Sequence, residues 1–114
     1  MTDFWMKKDR NDEPIPLLPN IRPLAVTNKT DLSTSAADVV TLNALTTLVR
    51  VYAKTNDSYL YFYGTGYTGT VSATVFHHFI PNGGFIDLLV PDETTKITAI
   101  STGACPNFVV QEYH

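Results

Sequence analysis

Three places in this chain bring chemically capable residues together: the run Gly64-Thr65-Gly66-Tyr67-Thr68-Gly69, the pair His77-His78, and the lone Cys105. The first matches G-x-G-x-x-G. In a dinucleotide site the last glycine of that pattern opens a helix whose N-terminus holds the pyrophosphate. Here the residues that follow, Val71-Ser72-Ala73-Thr74-Val75-Phe76, carry a strand pattern, so the run reads as a loop and no nucleotide cofactor is expected. His77-His78 invites a metal reading, but neighbours on a strand point to opposite faces. No third ligand lies at a useful spacing, so no metal is expected. If residues 71–80 and 85–90 pair through a two-residue turn, His78 falls opposite Asp87 on the outer face and His77 points inward near Leu88. A His–Asp pair also belongs to catalytic triads, yet no nucleophile motif accompanies it, and no catalytic residue is expected. Cys105 precedes Pro106 with no basic neighbour to lower its pKa, so it reads as an inert free thiol. Asn28-Lys29-Thr30 and Asn56-Asp57-Ser58 fit the glycosylation sequon, which matters only in a secreted chain. The start, MTDFWMKKDR, has charges where a secretion signal needs its apolar segment, so the chain is expected to act without being secreted.

The elements that must carry these residues are strands. The stretch Phe76–Ile100 organises the reading: strand, turn at Asn82-Gly83, strand, break at Pro91-Asp92-Glu93, strand. Asn-Gly is the strongest short hairpin signal, because a type I′ turn needs positive φ at both central residues. Val71–Ile80 is expected to be one long strand paired with Phe85–Val90, with Val75, Phe79, Ile86, Leu88 and Val90 inward. A second hairpin is expected from Thr47–Lys54 and Ser58–Tyr63, turning at Asn56-Asp57. In that register Val49, Val51, Ala53, Leu60 and Phe62 share one face, and Arg50, Tyr52, Lys54, Tyr59, Tyr61 and Tyr63 share the other. Further strands are expected near residues 24–27, 38–42, 96–101 and 108–113. Ser35 with Asp38 mimics a helix capping box, but Val39, Val40, Thr41, Thr46, Thr47 and Val49 are β-branched and favour strands. The fold class is therefore all-β: one β-sandwich, jelly-roll or immunoglobulin-like, with about eight short antiparallel strands over residues 24–114.

Residues 1–23 differ. They hold four of the seven prolines (Pro14, Pro16, Pro19, Pro23), and their acidic and basic residues balance, so the chain's formal net charge of −3 lies in residues 24–114. Such an acidic balance argues against a nucleic-acid partner, and no apolar run is long enough to span a bilayer. Proline favours extended geometry, so residues 1–23 should form an arm with no sheet of its own. Phe4, Trp5, Ile15, Leu17, Leu18 and Ile21 give that arm apolar anchors. It either packs on its own domain or, the reading preferred here, lies along another chain. Tyr52, Tyr59, Tyr61 and Tyr63 are candidate interface residues too, since tyrosine suits surfaces that are half apolar and half wet.

Residues 47–66, TLVRVYAKTNDSYLYFYGTG, and residues 79–114, FIPNGGFIDLLVPDETTKITAISTGACPNFVVQEYH, resemble a group of small tailed-bacteriophage virion proteins. Members show a "vRVya…d.yi.fG" segment followed by a "yiPaG.…l.vp.gtkisai" tail. The resemblance covers about half of the chain and consists of strands and turns. It implies a capsid decoration or cement protein, or a head-fibre base. Such a protein would bind the major capsid protein and itself, a trimer being favoured, and would sit on the virion surface after assembly in the host cytoplasm. A carbohydrate- or receptor-binding tail module and a head–tail adaptor are the alternatives.

Overall fold

Short apolar and partly alternating runs recur along residues 22–114, the part of the chain described by the computed structural model, and they build eight strands. These are β1 (Pro23–Lys29), β2 (Ala37–Thr41), β3 (Leu48–Ala53), β4 (Ser58–Gly64), β5 (His78–Ile80), β6 (Gly84–Leu89), β7 (Thr94–Ser101) and β8 (Phe108–Tyr113). They form two four-stranded antiparallel sheets, ordered β1-β8-β3-β6 and β2-β7-β4-β5. Consecutive strands change sheet at every step except β4 to β5. This strand order is that of a jelly-roll sandwich. No helix occurs among the described residues, so the capping-box resemblance at Ser35 has no structural counterpart.

The core lies between the sheets. Val49, Val51 and Ala53 of β3 and Phe108 and Val110 of β8 point in from one side. Leu60 and Phe62 of β4, Ile80 of β5 and Ile97 and Ala99 of β7 point in from the other, and all ten are essentially inaccessible to water. Burying a side chain of this kind is worth about 1.5–3 kcal/mol relative to exposure. Leu32, bridged to Cys105 through Cys105 N–H to Leu32 C=O at 2.8 Å, closes one end of the core, and the Cys105 thiol is buried with it. At the other end Glu112 is buried. Its Oε1 accepts the Thr46 hydroxyl at 2.7 Å and the Asn43 backbone N–H at 2.8 Å, which fixes the β2–β3 loop.

Neither expected hairpin forms. β3 pairs with β6 and β8, while β4 pairs with β5 and β7, so the turn at Asn56-Asp57 crosses from one sheet to the other. Asn56 adopts φ 67°, and its Nδ2 donates to Ala104 C=O at 2.8 Å. The carbonyl of Asp57 receives Thr102 N–H at 2.9 Å. These bonds tie the turn to the β7–β8 loop rather than closing a ribbon. Val51 and Phe62 are therefore opposed across the sandwich instead of side by side. The Asn82-Gly83 turn behaves the same way. Only Gly83 has positive φ, 76°, and Gly84 N–H donates to Pro81 C=O at 2.8 Å, a type II pattern that leads from β5 into the opposite sheet.

The long strand expected over 71–80 shrinks to three residues, His78–Ile80. Residues 68–77 are irregular, with bends at 73–75 and 77, and Ser72 Oγ accepts backbone N–H groups from Thr74 and Val75 at 3.2 and 3.0 Å, an arrangement that competes with a ladder. Val75 and Phe79, expected inside, are exposed, whereas Ile86, Leu88 and Val90 do face the core.

Candidate functional site

Three features combine exposed apolar or titratable side chains. The first is the outer face of β1-β8-β3-β6. Alternation turns Leu48, Arg50 and Tyr52 of β3 outward beside Phe85, Asp87 and Leu89 of β6 and Val109, Gln111 and Tyr113 of β8. Leu89 is 79% exposed, Val26 of β1 69% and Phe85 54%. Tyr52 and Phe85 pack ring to ring at 5.4 Å, and the Arg50 guanidinium lies 4.7 Å above the Phe85 ring. Arg50 Nε and Nη2 donate to the two Asp87 carboxylate oxygens at 2.6 and 2.8 Å. This fork holds the Asp87 carboxyl below the usual carboxylate range and raises Arg50 further above neutrality, so the pair stays ionised at any ordinary pH. Asp87 is thus the partner of Arg50 and not of His78, because β6 and β5 belong to different sheets.

The second feature is a cluster at the β5 end of the other sheet. Tyr59 packs against Phe76 at 4.8 Å and Phe79 at 5.4 Å, with Val75, Phe76 and Phe79 all exposed. The third is a shallow cavity of about 330 Å³ lined by Phe62, Tyr67, His77, His78 and Pro91. His77 lies outward over Tyr61 with ring centroids 4.1 Å apart, and its Nδ1 accepts Phe62 N–H at 2.9 Å. The imidazole is therefore the tautomer protonated at Nε2. His78 is the half-buried one, edge-on to Phe62 at 5.9 Å, which reverses the in-and-out assignment made from the sequence. Burial lowers the His78 pKa from its ordinary 6.5, and the neighbouring His77 adds to the effect. A depressed histidine pKa means that the unfolded chain takes up the proton first. The stability contributed by neutral His78 is then present above pH 6.5 and lost as pH falls through the lower, folded-state value. The melting temperature is expected to fall between pH 7 and pH 5, and His78→Gln should flatten that slope in scanning calorimetry.

The tyrosines grouped on one face from the sequence are divided. Tyr52 belongs to the outer face of one sheet and Tyr59, Tyr61 and Tyr63 to that of the other. Tyr61 is buried within its own chain, stacked on His77 and accepting Gly69 N–H at its hydroxyl at 2.9 Å. Tyr63 sits under the Lys96 ammonium at 4.5 Å. Phe4, Trp5, Ile15, Leu17, Leu18 and Ile21 lie outside the described residues. The exposed set Val26, Phe76, Phe79, Phe85 and Leu89 was not singled out by sequence. For Val26, Phe79, Phe85 and Leu89 the signal is period two on strands whose partners the sequence does not reveal, whereas Phe76 lies before β5 and outside any strand. The loop Gly64–Gly69 forms a tight turn, with Gly64 and Tyr67 exchanging backbone hydrogen bonds at 3.0 and 3.1 Å and Gly66 at φ 91°, and no helix follows it. The Tyr67 hydroxyl donates to Asp92 C=O, fastening that turn to the β6–β7 loop. Among the described residues no three His, Cys, Asp or Glu side chains gather as metal ligands, and no helix is long and apolar enough to cross a membrane.

These surfaces define a jelly-roll module with apolar, aromatic patches on both outer faces. No family model, curated protein or solved structure matches the chain.

Proposed function

We propose that this chain is a non-enzymatic structural protein of a tailed-bacteriophage virion, a decoration or cement protein that binds the major capsid protein and stabilises the head. The observation that carries the reading is the placement of aromatic patches on opposite outer faces of the sandwich: Tyr52 with Phe85 on one, Tyr59 with Phe76 and Phe79 on the other. Exposed apolar patches of this sort mark surfaces made for contact, and two of them let one small module touch two neighbours, including copies of itself in a trimer. The jelly roll hosts many unrelated functions. The functional part of the reading therefore rests on these patches together with the likeness of residues 47–66 and 79–114 to virion proteins.

Phe4 and Trp5 supply the attachment point, since each ring can bury roughly 150–250 Å² on a partner. In co-sedimentation with empty capsids, Phe4→Ala with Trp5→Ala is expected to weaken attachment at least about tenfold, the loss of one or two hot-spot residues. Full occupancy by the double variant would show that the tether lies elsewhere. A second reading, a carbohydrate-binding module, is favoured by the Tyr59–Phe76–Phe79 cluster, because exposed rings stack on sugars. Binding to a glycan array that is lost in Phe76→Ala, with no binding to capsids, would replace the first reading with this one.

A further inference from the structure

We infer that the free edge of β6 pairs antiparallel with β6 of a second copy of this chain, joining two four-stranded sheets into one continuous sheet about a twofold axis. The contact uses strand edges, so it leaves both outer faces and their aromatic patches open and stands apart from the capsid reading. Four strands end a sheet: β1, β2, β5 and β6. Such strands expose unpaired backbone groups, and folded proteins blunt them with proline, lysine, bulges or brevity. β1 starts at Pro23, ends at Lys29 and shifts register between Pro23 and Ala25. β2 shifts register between Asp38 and Val40. β5 has only three residues. β6, Gly84-Phe85-Ile86-Asp87-Leu88-Leu89, has six, with no proline, no lysine and no register shift against β3. It is the one unguarded edge among the described residues.

The open side of β6 is complementary to itself. Val90 N–H donates to Thr47 C=O at 2.9 Å. The bonds of an antiparallel ladder come from alternate residues, so Ile86 and Leu88 turn their backbone groups to β3. Phe85, Asp87 and Leu89 turn theirs to the open side, where no strand of residues 22–114 lies. With two copies antiparallel and Asp87 on the axis, Phe85 faces Leu89 of the second copy and Ile86 faces its Leu88. Every open N–H and C=O of Phe85, Asp87 and Leu89 then meets a partner, and paired side chains stand on the same face, as a ladder requires. Leu89, the most exposed large apolar side chain among the described residues at 79%, packs beside the Phe85 ring, itself 54% exposed. Cross-strand pairs of this kind are stabilising. Moving the register by two residues either way sets Leu89 against Gly83 or Phe85 against Pro91 and shortens the ladder. Charge permits the contact. Asp87 is the only charged residue of β6, and Arg50 Nε and Nη2 already fork its carboxylate at 2.6 and 2.8 Å. The row across the axis reads Arg50, Asp87, Asp87, Arg50 and is neutral, whereas two bare carboxylates facing each other would repel. Edge pairing of this length falls below the roughly 1,200 Å² of a stable standard interface, so the dimer is a weak one that grows in with concentration.

Analytical ultracentrifugation of the full-length protein, from about 10 µM to about 1 mM, tests this. The mean mass is expected to rise from monomer toward dimer across the series. Leu89→Lys, at an exposed position, should weaken association several-fold with an unchanged far-ultraviolet circular dichroism spectrum. Cross-linking reads the register. On the twofold axis of a hydrogen-bonded pair, a residue and its copy lie about 5.5 Å apart, Cα to Cα, which suits a disulfide. Asp87→Cys should therefore form covalent dimers under mild oxidation much faster than Phe85→Cys, whose two copies stand about 13 Å apart along the strands. Cys105 is buried and does not compete. A monomer mass throughout the series, undiminished association of Leu89→Lys, or equal cross-linking at residues 85 and 87 would each overturn the inference. So would slow amide exchange at Phe85, Asp87 and Leu89 in dilute wild-type protein, which would mean that the same chain already covers this edge.

Discussion

Phe62→Ala is expected to cost about 3–5 kcal/mol, enough to bring a domain at the low end of ordinary stability, about 5–15 kcal/mol, to the point of partial unfolding. Phe62 is 1% exposed and, with Phe108, is the bulkiest of the fully buried side chains among the described residues. It lies on β4, and its backbone pairs with Ile97 of β7. On the opposite side its ring meets His78 edge-on and runs nearly parallel to His77 at 6.3 Å. Truncation therefore opens a void in the core and also undercuts the cavity wall at His77 and His78. Urea unfolding followed by far-ultraviolet circular dichroism measures the loss. Phe62→Leu, which keeps most of the volume, should cost less than about 1.5 kcal/mol. Equal costs for the two variants would mean that residue 62 does not occupy the middle of the sandwich.

Gly64→Ala should be the most damaging single-methyl addition in the loop region. A Cβ at Gly64 would stand 2.1 Å from Glu93 O, 2.8 Å from Thr94 Cα and 2.9 Å from Glu93 C, all of them backbone atoms. No rotamer change relieves such a clash; β4 must move away from β7 at the register shift between Tyr63 and Gly64. Overpacking of this kind costs about 1–3 kcal/mol, and more where backbone must shift. Gly66 provides the contrast. It sits at φ 91° with nothing within 4 Å of its would-be Cβ, so Gly66→Ala suffers only the conformational penalty, about 1 kcal/mol. Thermal melts of the two variants in the same buffer give the ranking. Gly66→Ala falling further than Gly64→Ala would contradict the close approach of β4 to Glu93.

The in-and-out pattern was legible in the sequence wherever alternation was clean. Val49, Val51, Ala53, Leu60 and Phe62 are inward as their spacing predicts, and the strand expected over 108–113 coincides with β8. Pairing was not legible. A period of two says which way a side chain points, but it is equally satisfied when two strands lie side by side and when they face each other across a sandwich. Asn56-Asp57 and Asn82-Gly83 carry the composition of hairpin turns, yet both serve sheet-crossing connections. What separates the two cases is long-range bonding, such as Asn56 to Ala104 and Asn82 N–H to Asp57 Oδ1 at 2.8 Å, between residues far apart in the chain. The same ambiguity hid the surfaces. Pairing residues 71–80 with 85–90 sets His78 against Asp87 and turns Phe79 inward; in the structure β5 joins β4 and β6 joins β3, which leaves Phe79 and Phe85 on the outer faces of different sheets.

Strand β8 lies between β1 and β3, so the last strand in the sequence is an interior strand of its sheet. During synthesis β1 emerges early and finds no partner in that sheet until residues 108–113 have cleared the ribosome. At about 5–20 residues per second, the edges of β1 and β3 that will receive β8 wait for several seconds with their hydrogen-bonding groups open. Loss of even the final strand would remove Phe108 and Val110 from the core and split the sheet in two. Nascent chains of this protein should therefore be protease-sensitive until residues 108–113 have left the ribosome, and should then acquire resistance in one late cooperative step.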